Sequence, residues 1–354
     1  MPTPTTPNSA DLWILVGGYT AEVEGEAEGI HVLRWQGSTD DRANLVAYPS
    51  VPLVSPSYLL QHPTRPIVYA ISEATESQVH TLELTEEGLK LIASVPTGGV
   101  GACHLGFDET GGWVLVAHYS EGAVSTHRVL SDGTLSPAET LHQFTGSGPD
   151  QARQEQSHAH QVVASEGRIK VPDLGADVVH RVRMGVEGNL NRSDEPIRLP
   201  AGSGPRHLVI TGDHLVIACE LSGDLWLARR KGDSWDLAHQ VPASASEDRV
   251  HPSALRIDGD QVFVANRGPD TFAVFALDRE QNTLNRRAEV STGGEWPRDL
   301  VLTEDEVWIA NQAANSVSVF RRVPARESSL TEWVLDLELP MPSPACILLV
   351  HSGK

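Results

Sequence analysis

The stretch HPSALRIDGDQVFVANRGPDTFAVFALD (251–278) reads as three short strands joined by two tight turns. SALRI, QVFVAN and TFAVFALD are apolar runs rich in β-formers. DGD and RGPD between them carry the Gly, Pro and Asp of turns. The opening of this stretch, a small residue or Pro followed by an apolar run, returns along the chain. The copies are SPSYLL (55–60), GACHLG (101–106), SHAHQV (157–162), SGPRHL (203–208), HPSALR (251–256), WPRDLV (296–301) and SPACIL (343–348). Each of the first six precedes a partner strand: IVYAIS (67–72), WVLVAHY (113–119), IKVPDL (169–174), LVIACE (215–220), VFVANR (262–267) and VWIANQ (307–312). The seventh finds its partner at the other end of the chain, in LWILVGGY (12–19).

The partner strands begin 46, 56, 46, 47 and 45 residues apart. Periods of roughly 40–50 residues belong to propellers or solenoids. The apolar runs are too short, and too firmly bounded by Gly, Pro, Asn and Asp, for helical repeats. Four strands per unit and seven units predict an all-β chain, a seven-bladed β-propeller with four-stranded antiparallel blades. The split seventh repeat predicts closure, with N- and C-terminal strands sharing one blade and covering a sheet edge. Residues 12–354 are then a single domain, preceded by a disordered tail over 1–11. Residues 131–157 form one long, partly Gly-rich connection, a place where function often sits.

The formal charge of -20 excludes nucleic acid and anionic membrane as partners, since both require basic surface. No run approaches a membrane span, and the first residues carry no signal-peptide pattern. Three cysteines, all within strand segments, suit a reducing compartment. These features predict a cytoplasmic protein, a monomer or weak homo-oligomer.

The repeats also align one residue of each inner strand: Ser57, Cys103, His160, Arg206, Ser253, Arg298 and Ala345. All stand two positions before a shared apolar residue and so share a strand face, toward the central channel. The residues closing the second strands are Tyr19, Ser72, Tyr119, Leu174, Glu220, Arg267 and Gln312. Antiparallel pairing brings both sets to one channel mouth. His160, Arg206, Glu220, Arg267 and Arg298 are ionisable where other repeats carry bland residues. His158 lies one alternation step from His160. His207, by the same alternation, faces away. Three arginines in an acidic protein point to an anionic ligand, because the planar guanidinium fork suits phosphate or carboxylate. His158 and His160 lack a third ligand for a metal, so neither metal nor organic cofactor is expected. The GSGP stretches (146–149 and 202–205) precede no helix and read as turns. Tyr119, Asn266 and Asn311 read as blade-turn residues, and no GxSxG elbow is present.

At these residues the chain resembles the seven-bladed propeller lactonases, a family typified by bacterial 6-phosphogluconolactonase and related to carboxymuconate cyclase. The matching segments include RQ-x-x-SHAHQV (153–162), GSGPRHL (202–208), CEL (219–221), ANRGPDTFAVF (265–275) and WPRDL (296–300). The resemblance implies hydrolysis of a sugar lactone, with 6-phospho-D-glucono-1,5-lactone as the leading substrate. It places the channel histidine at His158 or His160 and the acidic residue at Glu220. It places the substrate-binding arginines at Arg206, Arg267 and Arg298, and the RQ segment adds Arg153. His160 or Glu220 then serves as general base on water. His118 and Cys219 stand where the family usually has Asn. A carboxymuconate-type cyclase or another lactone hydrolase is the alternative, and a non-catalytic binding scaffold the second.

Overall fold

The computed structural model describes residues 11–36, 44–192, 194–324 and 331–351. Seven sheets follow one another along the chain. The first, at 59–96, comprises β4 (Leu59–Gln61), β5 (Ile67–Ile71), β6 (Gln78–Thr85) and β7 (Gly88–Pro96). The next five run over 102–143, 163–198, 205–242, 251–291 and 297–340, each an antiparallel meander. The sheet over 163–198 carries a fifth short strand, Ile197–Arg198, which pairs with Val178–Met184. The expected architecture, a seven-bladed β-propeller, is what forms.

The seventh sheet pairs the C-terminal strand (Pro344–His351) with β1 (Leu12–Gly18), followed by β2 (Ile30–Trp35) and β3 (Leu45–Val51). Its ladder runs from Leu12 opposite His351 to Gly18 opposite Pro344, and the Tyr19 amide donates to the Ser343 carbonyl at 3.0 Å. The two ends of the chain therefore close the ring with backbone hydrogen bonds. Of the predicted disordered tail, residues 1–10 lie outside the described residues. Asp11 is fixed, paired with Arg34 at 2.6 Å.

Apolar residues fill the seams between blades. One seam joins Leu12, Ile14, Val16 and Trp35 of the closing blade to Trp308, Val317 and Val319 of its neighbour, with Trp35 edge-on to Trp308. Every adjacent pair of blades shares such a cluster. Alternating strand residues point into one seam or the other, so the second strands are buried on both faces.

Two departures from the expected strands matter for the site. SHAHQV (157–162) is not a continuous inner strand. It touches its neighbour through an Ala159–Asp173 bridge, and the ladder begins only at Val163. Asp173 takes over the missing bonds, accepting from the His158 amide at 2.7 Å and from the Ser157 hydroxyl. The other departure is a set of bulges in the inner strands.

Candidate active site

The register between inner and second strands slips by one residue at Cys103, Arg206, Arg298 and Ala345, and again across Ser253–Ala254. These are the aligned channel positions. A bulged residue is unpaired and its strand bends, so its side chain is re-aimed. Two residues before Cys103, Arg206, Arg298 and Ala345 the chain takes positive φ, at Gly101, Gly204, Trp296 and Ser343, and Ser55 does the same two residues before Ser57. The same device is thus repeated around one mouth of the channel.

Six of the seven aligned residues, Ser57, Cys103, His160, Arg206, Arg298 and Ala345, line one cavity. So do Tyr58, Glu73, His207 and Asp299. His207 corrects the sequence reading. Strict alternation turned it away, but the bulge at Arg206 breaks the alternation and brings both neighbours to the cavity. The space open to the centre of a water-sized sphere is about 20 Å³, room for about one water.

Glu220 is the electrostatic hub. Its carboxylate lies 3.1 Å from Arg206 Nε, 2.7 Å from Arg267 Nη2 and 2.8 Å from Arg153 Nη2. Burial alone would raise this carboxyl; Arg267 and Arg206 first, then His160 and Arg153, hold it well below the usual carboxylate range. Burial, with Arg267 alongside, lowers the Arg206 guanidinium to about 9, still charged at neutral pH. Arg298 occupies the other side. It lies over the Tyr19 ring at 4.7 Å, and its nearest carboxylate, Glu73, is 3.9 Å away and already accepts the Tyr19 hydroxyl at 2.7 Å. Arg153, Arg206, Arg267 and Arg298 face Glu220 and Glu73, and Asp299 of the same cavity wall is paired with Arg256 at 2.8 Å, so the surplus is two positive charges.

Arg153 comes from the long, partly Gly-rich connection that the sequence singled out. Gln154, fully buried, anchors that loop by donating to the Leu174 carbonyl and Asp177, each at 2.8 Å. Asp177 also accepts the Gly202 and Gly204 amides, so the second GSGP stretch is a pinned turn.

His160 is buried, and its Nδ1 has no hydrogen-bond partner within the protein. Burial and the nearby Arg206 push its imidazole well below its ordinary range, so it is neutral at pH 7. His158 stands apart from the cavity. Its ring stacks on Tyr119 at 4.4 Å, with Glu155 at 3.3 Å. Of the two candidate histidines, His160 is the one on the cavity wall. Tyr119, read as a blade-turn residue, instead sits between them. Its hydroxyl accepts from Arg153 at 3.3 Å, and its ring meets His160 edge-on. Sequence reasoning missed this role although Tyr119 stood in the aligned column. Glu73 lies one residue beyond that column and left no repeat signal.

Asn311 and His118 share a structural task. Asn311 Nδ2 donates to Ser318 Oγ at 2.9 Å, and His118 Nε2 meets Ser125 Oγ at 3.0 Å, seven residues on in both cases. His118 thus substitutes for Asn as an internal brace, away from the chemistry. Cys103, Cys219 and Cys346 are buried and free, and burial pushes each thiol up, away from nucleophilic use. Among the described residues no group of three His, Cys, Asp or Glu converges as a metal cage.

The ring of seven blades thus carries, at one mouth, a buried histidine and an arginine-clamped carboxylate. Residues 13–349 match the family described as Lactonase, 7-bladed beta-propeller, and the chain belongs to it. Similar proteins include a 6-phosphogluconolactonase of Formosa agariphila, 27% identical over 87% of this chain and 92% of that one. Another, from Bacillus subtilis, is 27% identical over 95% of this chain and 97% of that one. The structure of the Pseudomonas aeruginosa periplasmic gluconolactonase PpgL superposes with a TM-score of 0.85 at 26% identity, covering 97% of this chain and 99% of that one. Family membership makes the protein a lactone-opening hydrolase, so the scaffold alternative falls. Among the described residues, no helix is long and apolar enough to cross a membrane.

Proposed function

We propose that the protein hydrolyses 6-phospho-D-glucono-1,5-lactone to 6-phosphogluconate. The observation that carries this reading is a neutral His160 whose Nδ1 is unpartnered, in one cavity wall with Arg206 and Arg298. His160 takes a proton from water as the oxygen adds to the lactone carbonyl. The cationic side of the mouth stabilises the oxyanion that forms. The proton on His160 then passes to the ring oxygen as the C–O bond breaks, giving the open hydroxy acid. Arg298, with the least carboxylate close by, binds the anionic group of the substrate. Glu220 is held ionised by three arginines, which suits it to fixing their geometry better than to moving a proton.

The test is turnover of freshly generated 6-phosphogluconolactone, corrected for spontaneous opening, beside unphosphorylated gluconolactone and carboxymuconate. The phosphorylated lactone should be the best substrate, with no loss of rate in chelator. Preference for the unphosphorylated lactone would overturn the phosphate reading, and preference for carboxymuconate would favour the cyclase.

A further inference from the structure

His207 is buried beside His160, their ring centroids 5.6 Å apart, and both line the same cavity. Arg206 Nη1 lies 3.3 Å from His207 Nε2. A guanidinium can only donate, so this ring nitrogen accepts. Burial first, then Arg206 and the neighbouring His160, keep the His207 imidazole neutral. Its single proton is therefore on Nδ1, and that atom has no partner within the protein. Ser57 and His160 line the same cavity, and Ser57 Oγ and His160 Nδ1 are likewise buried without a partner in the protein. Three unpartnered polar atoms, on three residues that line a space with room for about one water, are the kind of group that ordered water satisfies.

We propose that His207 Nδ1–H and His160 Nδ1 together hold the hydrolytic water, His207 donating to its oxygen and His160 accepting one of its protons. Ser57 Oγ is a further contact. The remaining lone pair of the water oxygen then attacks the lactone carbonyl. That oxygen becomes part of the new carboxyl, and the proton received by His160 leaves on the ring oxygen. His207 changes no protonation state; it fixes the direction of the lone pair. Arg206 supports it by holding the tautomer, as the partner of a ring nitrogen does at many sites. The catalytic part of this proposal rests on the lactonase reading, whereas the water site itself does not.

Two measurements test it. A high-resolution crystal structure of the unmodified protein should show one ordered water within hydrogen-bond distance of both His160 Nδ1 and His207 Nδ1. A cavity holding no such water overturns the proposal, whatever the substrate. In kinetics, His207→Asn keeps an N–H near the Nδ1 position, whereas His207→Gln moves its amide to the Nε2 position. The Gln variant should lose at least tenfold in kcat with KM little changed and an unaltered melting temperature. The Asn variant should retain most of kcat. Equal kcat in the Gln variant and the unmodified protein, or a change confined to KM, shows that His207 only positions Arg206. Absence of lactone turnover in the unmodified protein would sink the lactonase reading and leave the crystallographic result to decide the water site.

Discussion

Arg206 Nε lies 3.1 Å from Glu220 Oε2, with both side chains about nineteen-twentieths sealed from solvent. Removing one partner of such a pair costs about 3–5 kcal/mol, because the other charge is left buried. The two partners are not equivalent here. Arg206→Ala leaves Glu220 paired with Arg267 and Arg153, whereas Glu220→Gln strips three arginines of their shared counter-charge. Urea unfolding should therefore show Glu220→Gln as clearly the more destabilised of the two, with Arg206→Ala losing activity at nearly normal stability. Equal losses would contradict the hub.

Trp296 carries φ 59, where the corresponding turns use Gly101 and Gly204. A bulky side chain in this region costs about 1–2 kcal/mol. Its indole covers the Arg267 guanidinium at 5.3 Å while remaining over a third exposed. Strain retained at the channel mouth is expected to serve the site. Trp296→Asn, which tolerates this backbone, should keep or raise the melting temperature while kcat/KM falls several-fold. A destabilised variant of normal activity would make Trp296 mere packing.

Ring closure depends on the ladder between β1 and the C-terminal strand. Deleting residues 343–354 exposes the edge of β1 and opens two seams, since Ile347 packs in one and Cys346 in the other. The loss should lower the melting temperature of the whole molecule in one cooperative step. An unchanged melt would rule closure out.

Burial pushes His80 down to about 4 and His118 to about 3, and holds His104, His160 and His207 well below their ordinary range. Unfolded histidines titrate near pH 6.5. Below that pH, and down to the folded values, the unfolded chain binds more protons, so stability falls as pH falls. The depressed Glu220 carboxyl acts in the same direction at lower pH. Urea midpoints should be level between pH 8 and 7 and clearly lower at pH 5.5. Level midpoints to pH 5 would contradict these buried neutral imidazoles.

The ring was legible in the sequence because seven copies of one strand pattern reinforce each other, and the orphaned seventh copy identified the closing blade. The aligned column also led to His160, Arg206 and Arg298. What it concealed has two physical causes. A bulge adds one residue without disturbing the apolar pattern, so the two-residue alternation failed at Arg206 and hid His207. Glu73 and the placement of Arg153 depend on turns and a loop, whose paths the period does not encode. The turn ahead of two bulges uses Gly101 and Gly204, but Ser55, Trp296 and Ser343 adopt the same turn without glycine, so no residue type marks it throughout.

On this reading His160 is the base of a lactonase site at the channel mouth. The most direct measurement is kcat for 6-phosphogluconolactone hydrolysis by His160→Gln beside the unmodified protein, with melting temperatures recorded on the same samples. The variant should lose about 10²-fold or more, typical of a missing general base, at nearly unchanged stability. A normal rate in the folded variant would contradict it.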